Sequence, residues 1–122
     1  MRILIIENQE ALRKILRDKL EISGFETLIA ENGDETWTIV KSGKLDAILF
    51  DLTLSKGKDF DLFGMLKRDP FLEGVPIFVL VDFGEDETLE IVSQMGVGDC
   101  FIRTESPLGE VVEKVKKRLQ PS

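Results

Sequence analysis

The stretch Leu45-Asp46-Ala47-Ile48-Leu49-Phe50-Asp51 decides the fold. Ala47 to Phe50 is apolar at every position, not at alternate ones, which is the pattern of a parallel strand covered on both faces. The run closes on a carboxylate, Asp51. A second run, Ile3-Leu4-Ile5-Ile6, closes in the same way on Glu7-Asn8. Ligands of open α/β sheets bind beyond the carboxyl ends of the strands, where the strand order reverses. Two apolar strands that each deliver an acidic group there suggest an assembled surface site. The plainer reading is that strand-end acids mark the edge of the core.

Outward from these runs, short apolar stretches alternate with helical periodicity. Gln9 to Ile22 places Ala11, Leu12, Ile15, Leu16, Leu20 and Ile22 at helical spacing, and Ser23-Gly24 stops that helix. Thr27 to Ala30 reads as a strand, Asn32-Gly33 as a turn, and Asp34 to Lys41 as a helix with Trp37 and Val40 inward. Asp51 to Asp59 is polar, carries Gly57 and reads as a loop. Phe60 to Lys67 is a third helix with Phe60, Phe63 and Leu66 inward, closed by Pro70. Pro76 to Val81 is a fourth strand. Asp82 and Glu85 offer a variant capping box for a fourth helix that runs to about Met95. Asp99 to Ile102 is a fifth strand. Ser106-Pro107 starts a last helix, with Leu108, Val111, Val112, Val115 and Leu119 inward. Five strand–helix units with short connections predict a parallel sheet covered by helices on both faces, with right-handed crossovers.

Composition narrows the function. The chain has 122 residues, the size of one domain, with 43% hydrophobic residues to build a core. Its net charge of −7 argues against binding nucleic acid or an anionic membrane surface, since phosphates need Lys and Arg to neutralise them. Lys114, Lys116, Lys117 and Arg118 cluster locally and read as a solvated helix face. No apolar run approaches the roughly 20 residues of a membrane span, and Glu7 comes too early for a signal peptide. A single cysteine, Cys100, excludes an internal disulfide and fits a reducing cytoplasm. The absence of histidine excludes a self-contained Ser-His-Asp or Cys-His site and most zinc sites. The residues that fall at strand ends are Glu7, Asn8, Asp51, Val81, Asp82, Arg103 and Thr104. Their oxygen-rich part suits Mg²⁺, which needs few protein ligands, and a carboxylate beside Mg²⁺ is a competent nucleophile toward phosphorus.

The whole chain resembles the receiver domain of two-component response regulators. The resemblance rests on Arg2 to Gln9, Gly24-Phe25-Glu26, Ala30-Glu31-Asn32-Gly33, Leu45 to Asp51, Leu66 to Pro70, Val75-Pro76-Ile77 and Gly96-Val97-Gly98-Asp99, in that order and spacing. It implies a flavodoxin-like fold: five parallel strands in the order 2-1-3-4-5, with five helices. It further implies one receiver domain over residues 1–122, any output domain being absent from this chain or trimmed away. The same resemblance makes Asp51 the acceptor of a phosphoryl group from a partner's phosphohistidine. Glu7, Asn8, Asp51 and the backbone carbonyl of Thr53 would hold Mg²⁺. The implied partner is a sensor histidine kinase or phosphotransfer protein. A homodimer is also implied, through the face of the fourth helix, fifth strand and last helix, where Glu90, Gln94, Cys100 and parts of 110–117 fall. Such a domain contributes to its own phosphoryl transfer without being a dedicated enzyme. A flavodoxin is disfavoured, because Glu7-Asn8-Gln9-Glu10 would repel a flavin phosphate, and a Rossmann domain lacks its Gly-rich loop here.

The chain departs from the family pattern around Asp51. Asn8 stands where the family has a metal-binding Asp, so Mg²⁺ should bind more weakly. Val81 replaces the Thr or Ser whose hydroxyl meets the phosphoryl group, and cannot make that bond. Asp82 replaces a small residue and reads as a helix cap. Arg103 replaces Lys and keeps its charge with a different geometry. Thr104 replaces Pro, and Cys100 stands at the aromatic switch position, where it reads as a small core filler. After Asp51 the usual Met-Pro is Leu54-Ser55 and the usual Gly is Asp59, while Lys56 and Lys58 read as solvated. Two functions follow: a phosphorelay receiver with Asp51 as acceptor, or a receiver-like interaction module that works without phosphorylation.

Overall fold

The apolar runs become the strands of one sheet. In the computed structural model these are β1 (Arg2–Ile6), β2 (Glu26–Ala30), β3 (Ala47–Asp51), β4 (Ile77–Val81) and β5 (Asp99–Ile102). They pair in parallel in the order β2-β1-β3-β4-β5, the order the family resemblance implies. The helices are α1 (Glu10–Ile22), α2 (Gly33–Ser42), α3 (Lys56–Arg68) and α4 (Leu108–Leu119), with a 3-10 turn at Pro70–Leu72. The structure describes residues 1–7, 9–51, 56–81, 99–102 and 108–120, and of 56–60, 81 and 99–102 it describes the backbone. The fourth predicted helix and its capping box lie outside the described residues, as do Asn8, Thr53, Asp82, Arg103 and Thr104.

Strand alternation sorts the core into two halves. Leu4, Ile6, Ile48, Phe50, Ile77 and Val79 face α2 and α3, where they meet Val40, Phe63 and Leu66. Ile3, Ile5, Ala47, Leu49, Phe78 and Leu80 face the other way, toward Leu16 and Leu20 of α1 and Val111, Val112 and Val115 of α4. All five positions of β3 are buried, as its unbroken apolar run demands of a central strand. Each large side chain so buried contributes about 1.5–3 kcal/mol, which makes β3 the most heavily anchored part of the acidic site.

Three connections show how sequence sets the element ends. α1 closes in a Schellman motif: Phe25 N–H donates to Leu20 O at 3.1 Å and Gly24 N–H to Glu21 O at 3.0 Å. Gly24 has φ +95°, a region that side chains disfavour, so glycine is required there. Phe25 then packs into the same cluster as Leu20. Asn32-Gly33 is not a separate turn. Asn32 caps α2, its Oδ1 accepting from Glu35 N–H at 2.9 Å, and Gly33 is already the first helical residue. Asp69 Oδ1 accepts from Phe71 N–H at 2.8 Å and starts the 3-10 turn that Pro70 opens.

Other expectations need correction. Asp51 belongs to β3, and α3 begins at Lys56, within the stretch read as a loop to Asp59. The first turn of a helix has no intrahelical acceptors for its N–H groups, so Gly57 is tolerated there as it would not be mid-helix. Of the apolar residues at helical spacing in α1, Ile15 is 44% and Ile22 86% exposed, and Ala11 is exposed. α1 buries only the narrow stripe Leu16–Leu20, with Leu12 half-buried, because it is wedged between the sheet and α4. Trp37, Leu108 and Leu119 pack at the core margin and are half-buried.

Candidate functional site

Parallel pairing fixes where the strand ends fall. β1 and β3 run side by side from Ile3↔Ala47 to Ile6↔Phe50, so Glu7 and Asp51 stand level, one step further on. Adjacent strands lie about 4.8 Å apart. By alternation both residues continue the side of the sheet covered by α1 and α4. Each is 1% exposed. Burying a carboxylate is costly unless it is compensated, and among the described residues these are the only buried acidic side chains. The fold spends that cost twice, on adjacent strands, at the same end of the sheet.

The Glu7 backbone and side chain are both wired into their surroundings. Its N–H donates to Ala30 O at 3.2 Å, which extends the β1–β2 ladder past the last strand residue. Its Oε1 accepts from Gln9 N–H at 2.9 Å. Gln9 is the N-cap of α1 and makes no side-chain cap bond, so the Glu7 carboxylate supplies a hydrogen bond where α1 begins. One residue therefore serves both the acidic pair and the start of a helix.

The sequence reading missed Arg13. Its Nη1 donates to the backbone carbonyl of Glu7 at 3.4 Å and meets Glu31 Oε1 at 2.7 Å. Arg13 thus straps α1 to the ends of β1 and β2, with its side chain 17% exposed. One signal was available. A cation near the N-terminal turn of a helix opposes the helix dipole, which calls for a partner that compensates it.

The geometry brings Glu7 and Asp51 together. Val81 and Cys100 sit on β4 and β5, whose backbones are described there and whose side chains are not. Asn8, Thr53, Asp82, Arg103 and Thr104 lie outside the described residues, as do Glu90 and Gln94 of the expected dimer face. The described donor set is two carboxylates, all hard oxygen. That suits Mg²⁺, which keeps several waters and takes one or two carboxylates. Among the described residues no cluster of three or more acidic, Cys or His side chains forms, so any further donor must come from elsewhere.

A five-stranded parallel sheet in this order, with paired acids at the carboxyl ends of its two adjacent inner strands β1 and β3, defines a receiver-type α/β signalling domain. The family model for the response regulator receiver domain matches residues 3–116, and the chain belongs to that family. It is a receiver domain of two-component signalling, a class of signalling modules rather than dedicated enzymes. The phosphate regulon transcriptional regulatory protein PhoB of Pseudomonas aeruginosa is 30% identical over 97% of this chain and 51% of its own length. The chain therefore spans about half of that relative. The polar-differentiation response regulator DivK of Brucella anthropi is 27% identical over 96% of this chain and 94% of its own length. Among solved structures, the Mn(2+)-bound form of response regulator Rcp1 superposes with a TM-score of 0.82 at 20% identity, covering 99% of this chain and 96% of that one. The chemotaxis response regulator CheY4 of Vibrio cholerae gives 0.81 at 17% identity, covering 97% of each chain. Among the described residues no helix is long and apolar enough to cross a membrane.

Proposed function

We propose that this receiver takes a phosphoryl group onto Asp51 from the phosphohistidine of a histidine kinase or phosphotransfer partner. The observation that carries the reading is the level, buried placement of Glu7 and Asp51 at the ends of β1 and β3. An Asp51 carboxylate oxygen forms the new bond to phosphorus as the partner's N–P bond breaks, and the bonding pair returns to the imidazole. These 122 residues contain no histidine, so the donor phosphohistidine lies outside this domain. Glu7 and Asp51, with the Asn8 amide oxygen and the Thr53 carbonyl, are the groups that would hold Mg²⁺. When bound, Mg²⁺ offsets the charge that phosphate brings to an already acidic site. Glu7 is positioned for this by its bond to Gln9 N–H and by Arg13 on its carbonyl. Arg103 supplies the cation expected at the end of the fifth strand. The interaction-only alternative is not favoured, since the relatives are response regulators that span this chain almost completely.

The test is incubation with Mg²⁺ and a small phosphodonor such as phosphoramidate, read by intact mass. A phosphate adduct that needs Mg²⁺ and disappears in Asp51→Asn is the expected result. No adduct at saturating donor and Mg²⁺, with a competent receiver labelled in parallel, would sink the proposal.

A further inference from the structure

The amino pole of the sheet, opposite the acidic pair, carries a pocket of about 440 Å³. It opens where α2 ends and the chain turns into β3, and the 3-10 turn lays Phe71 and Leu72 along it. Its floor is apolar: Val40, Leu45 and Leu72 are all buried. Phe71 stands at the opening, 76% exposed, on a chain that buries Phe25, Phe50, Phe63 and Phe78. A single exposed ring is unremarkable alone; a ring beside an apolar pocket is a ready anchor point.

The charge around the opening reverses the sign of the molecule. Lys41 and Lys44 line it, both are exposed, and among the described residues neither is in an ion pair. Arg2 lies alongside, since a Cβ on Gly43 would come within 2.8 Å of its Nη1, but its guanidinium is already ion-paired with Glu26 at 3.4 Å, so the two lysines carry the positive charge of the rim. Two acids nearby are held in place by backbone N–H groups and keep their charge, and one of them, Asp46, lines the pocket. Asp46 Oδ2 accepts from Arg2 N–H at 2.7 Å, and Asp69 Oδ1 accepts from Phe71 N–H at 2.8 Å. Lys41 also complements the carbonyl end of α2, but Lys44 lies beyond the helix and has no such role. On a chain of net charge −7, the pocket lining sets two lysines against one aspartate, so the rim is net positive around an apolar floor. A second copy, carrying the same −7, is repelled overall.

We propose that this pocket docks an acidic segment of a partner protein that carries an apolar anchor. The anchor enters between Leu72 and Phe71, and the flanking carboxylates meet Lys41 and Lys44. β3 runs from Ala47 beside the pocket to Asp51 at the other pole, a rise of about 13 Å at about 3.3 Å per residue. A docked segment therefore leaves the acidic pair uncovered, and the proposal stands apart from the phosphoacceptor reading.

The experiment is an amide-shift titration of the isotope-labelled chain with a synthetic peptide of glutamates around a central Leu-Leu pair. Saturable shifts concentrated at 41–46 and 71–72 are expected. Phe71→Ser and the pair Lys41→Glu/Lys44→Glu, all at exposed positions, should each weaken binding by about tenfold or more. The same peptide with lysines in place of glutamates should give no shifts there. No shift at these amides at millimolar peptide overturns the proposal, and so does binding that both variants leave intact. Self-association of the free chain that Phe71→Ser abolishes also overturns it, by assigning the surface to a second copy.

Discussion

Removing Arg13 and Glu31 together, as Arg13→Ala/Glu31→Ala, tests whether the acidic pair is held in place from outside. The double change leaves the net charge near the site unaltered, so a change in cation affinity is not a simple Coulomb effect. The ion pair is short, 2.7 Å, but Glu31 is 53% exposed, which puts it within the surface range, at about 0.5 kcal/mol. The bond from Arg13 to the Glu7 carbonyl is long, 3.4 Å, and adds about 0.5 kcal/mol. Lost packing of the arginine stem brings the total to about 1–1.5 kcal/mol. With a urea slope of about 2 kcal/mol per molar, the unfolding midpoint should fall by about 0.5–0.75 M. The functional readout is Mg²⁺ affinity by calorimetry, checked by Mn²⁺ broadening of the Glu7 and Asp51 amides. Freeing the Glu7 carbonyl should weaken Mg²⁺ binding by about threefold to tenfold, or about 0.7–1.4 kcal/mol. A variant that loses the stability but binds Mg²⁺ as the parent does would refute the positioning argument and leave Arg13 as a purely structural strap.

Phe63 is fully buried and meets Phe50 with ring centroids 6.0 Å apart at 56°; Phe63→Ala should cost about 3–5 kcal/mol in urea unfolding, and a loss below about 1 kcal/mol would mean the helix side of this core is not packed as described. Gly24→Ala forces a side chain into φ +95° and should cost about 1–2 kcal/mol by the same assay; a neutral result would contradict the left-handed turn after α1. Asn8→Asp adds a carboxylate to a hard-oxygen site and should tighten Mg²⁺ about tenfold, or about 1.4 kcal/mol; unchanged or weaker binding in calorimetry would count against a cation at Glu7 and Asp51.

Local pattern carried most of the architecture. The unbroken apolar run of β3 announced a doubly covered parallel strand, and Ser23-Gly24 placed the end of α1 correctly. The start of α3 was hidden because Lys56-Gly57-Lys58-Asp59 has no apolar periodicity, and periodicity is the signal that locates helices. Ile15 and Ile22 located the helix but not its buried face. Spacing says which residues share a face, but not how wide a stripe the neighbours cover, and α1 is held in a narrow slot. At the site, Glu7 and Asp51 were legible because carboxylates terminate two apolar runs. Arg13 was not, because its partners Glu7 and Glu31 come from other elements and are joined only by the sheet register.

The Glu7 carboxylate's bond to Gln9 N–H gives the domain a built-in spectroscopic probe. A cation drawn to the acidic pair competes for the same oxygen electrons, so that bond lengthens and the first turn of α1 responds. The exchange rate and chemical shift of one backbone proton, at Gln9, should therefore track loading of the pair without any added label. Thirteen residues of helix hang from that proton's neighbourhood, so occupancy at the sheet edge becomes a signal along the flank of the molecule.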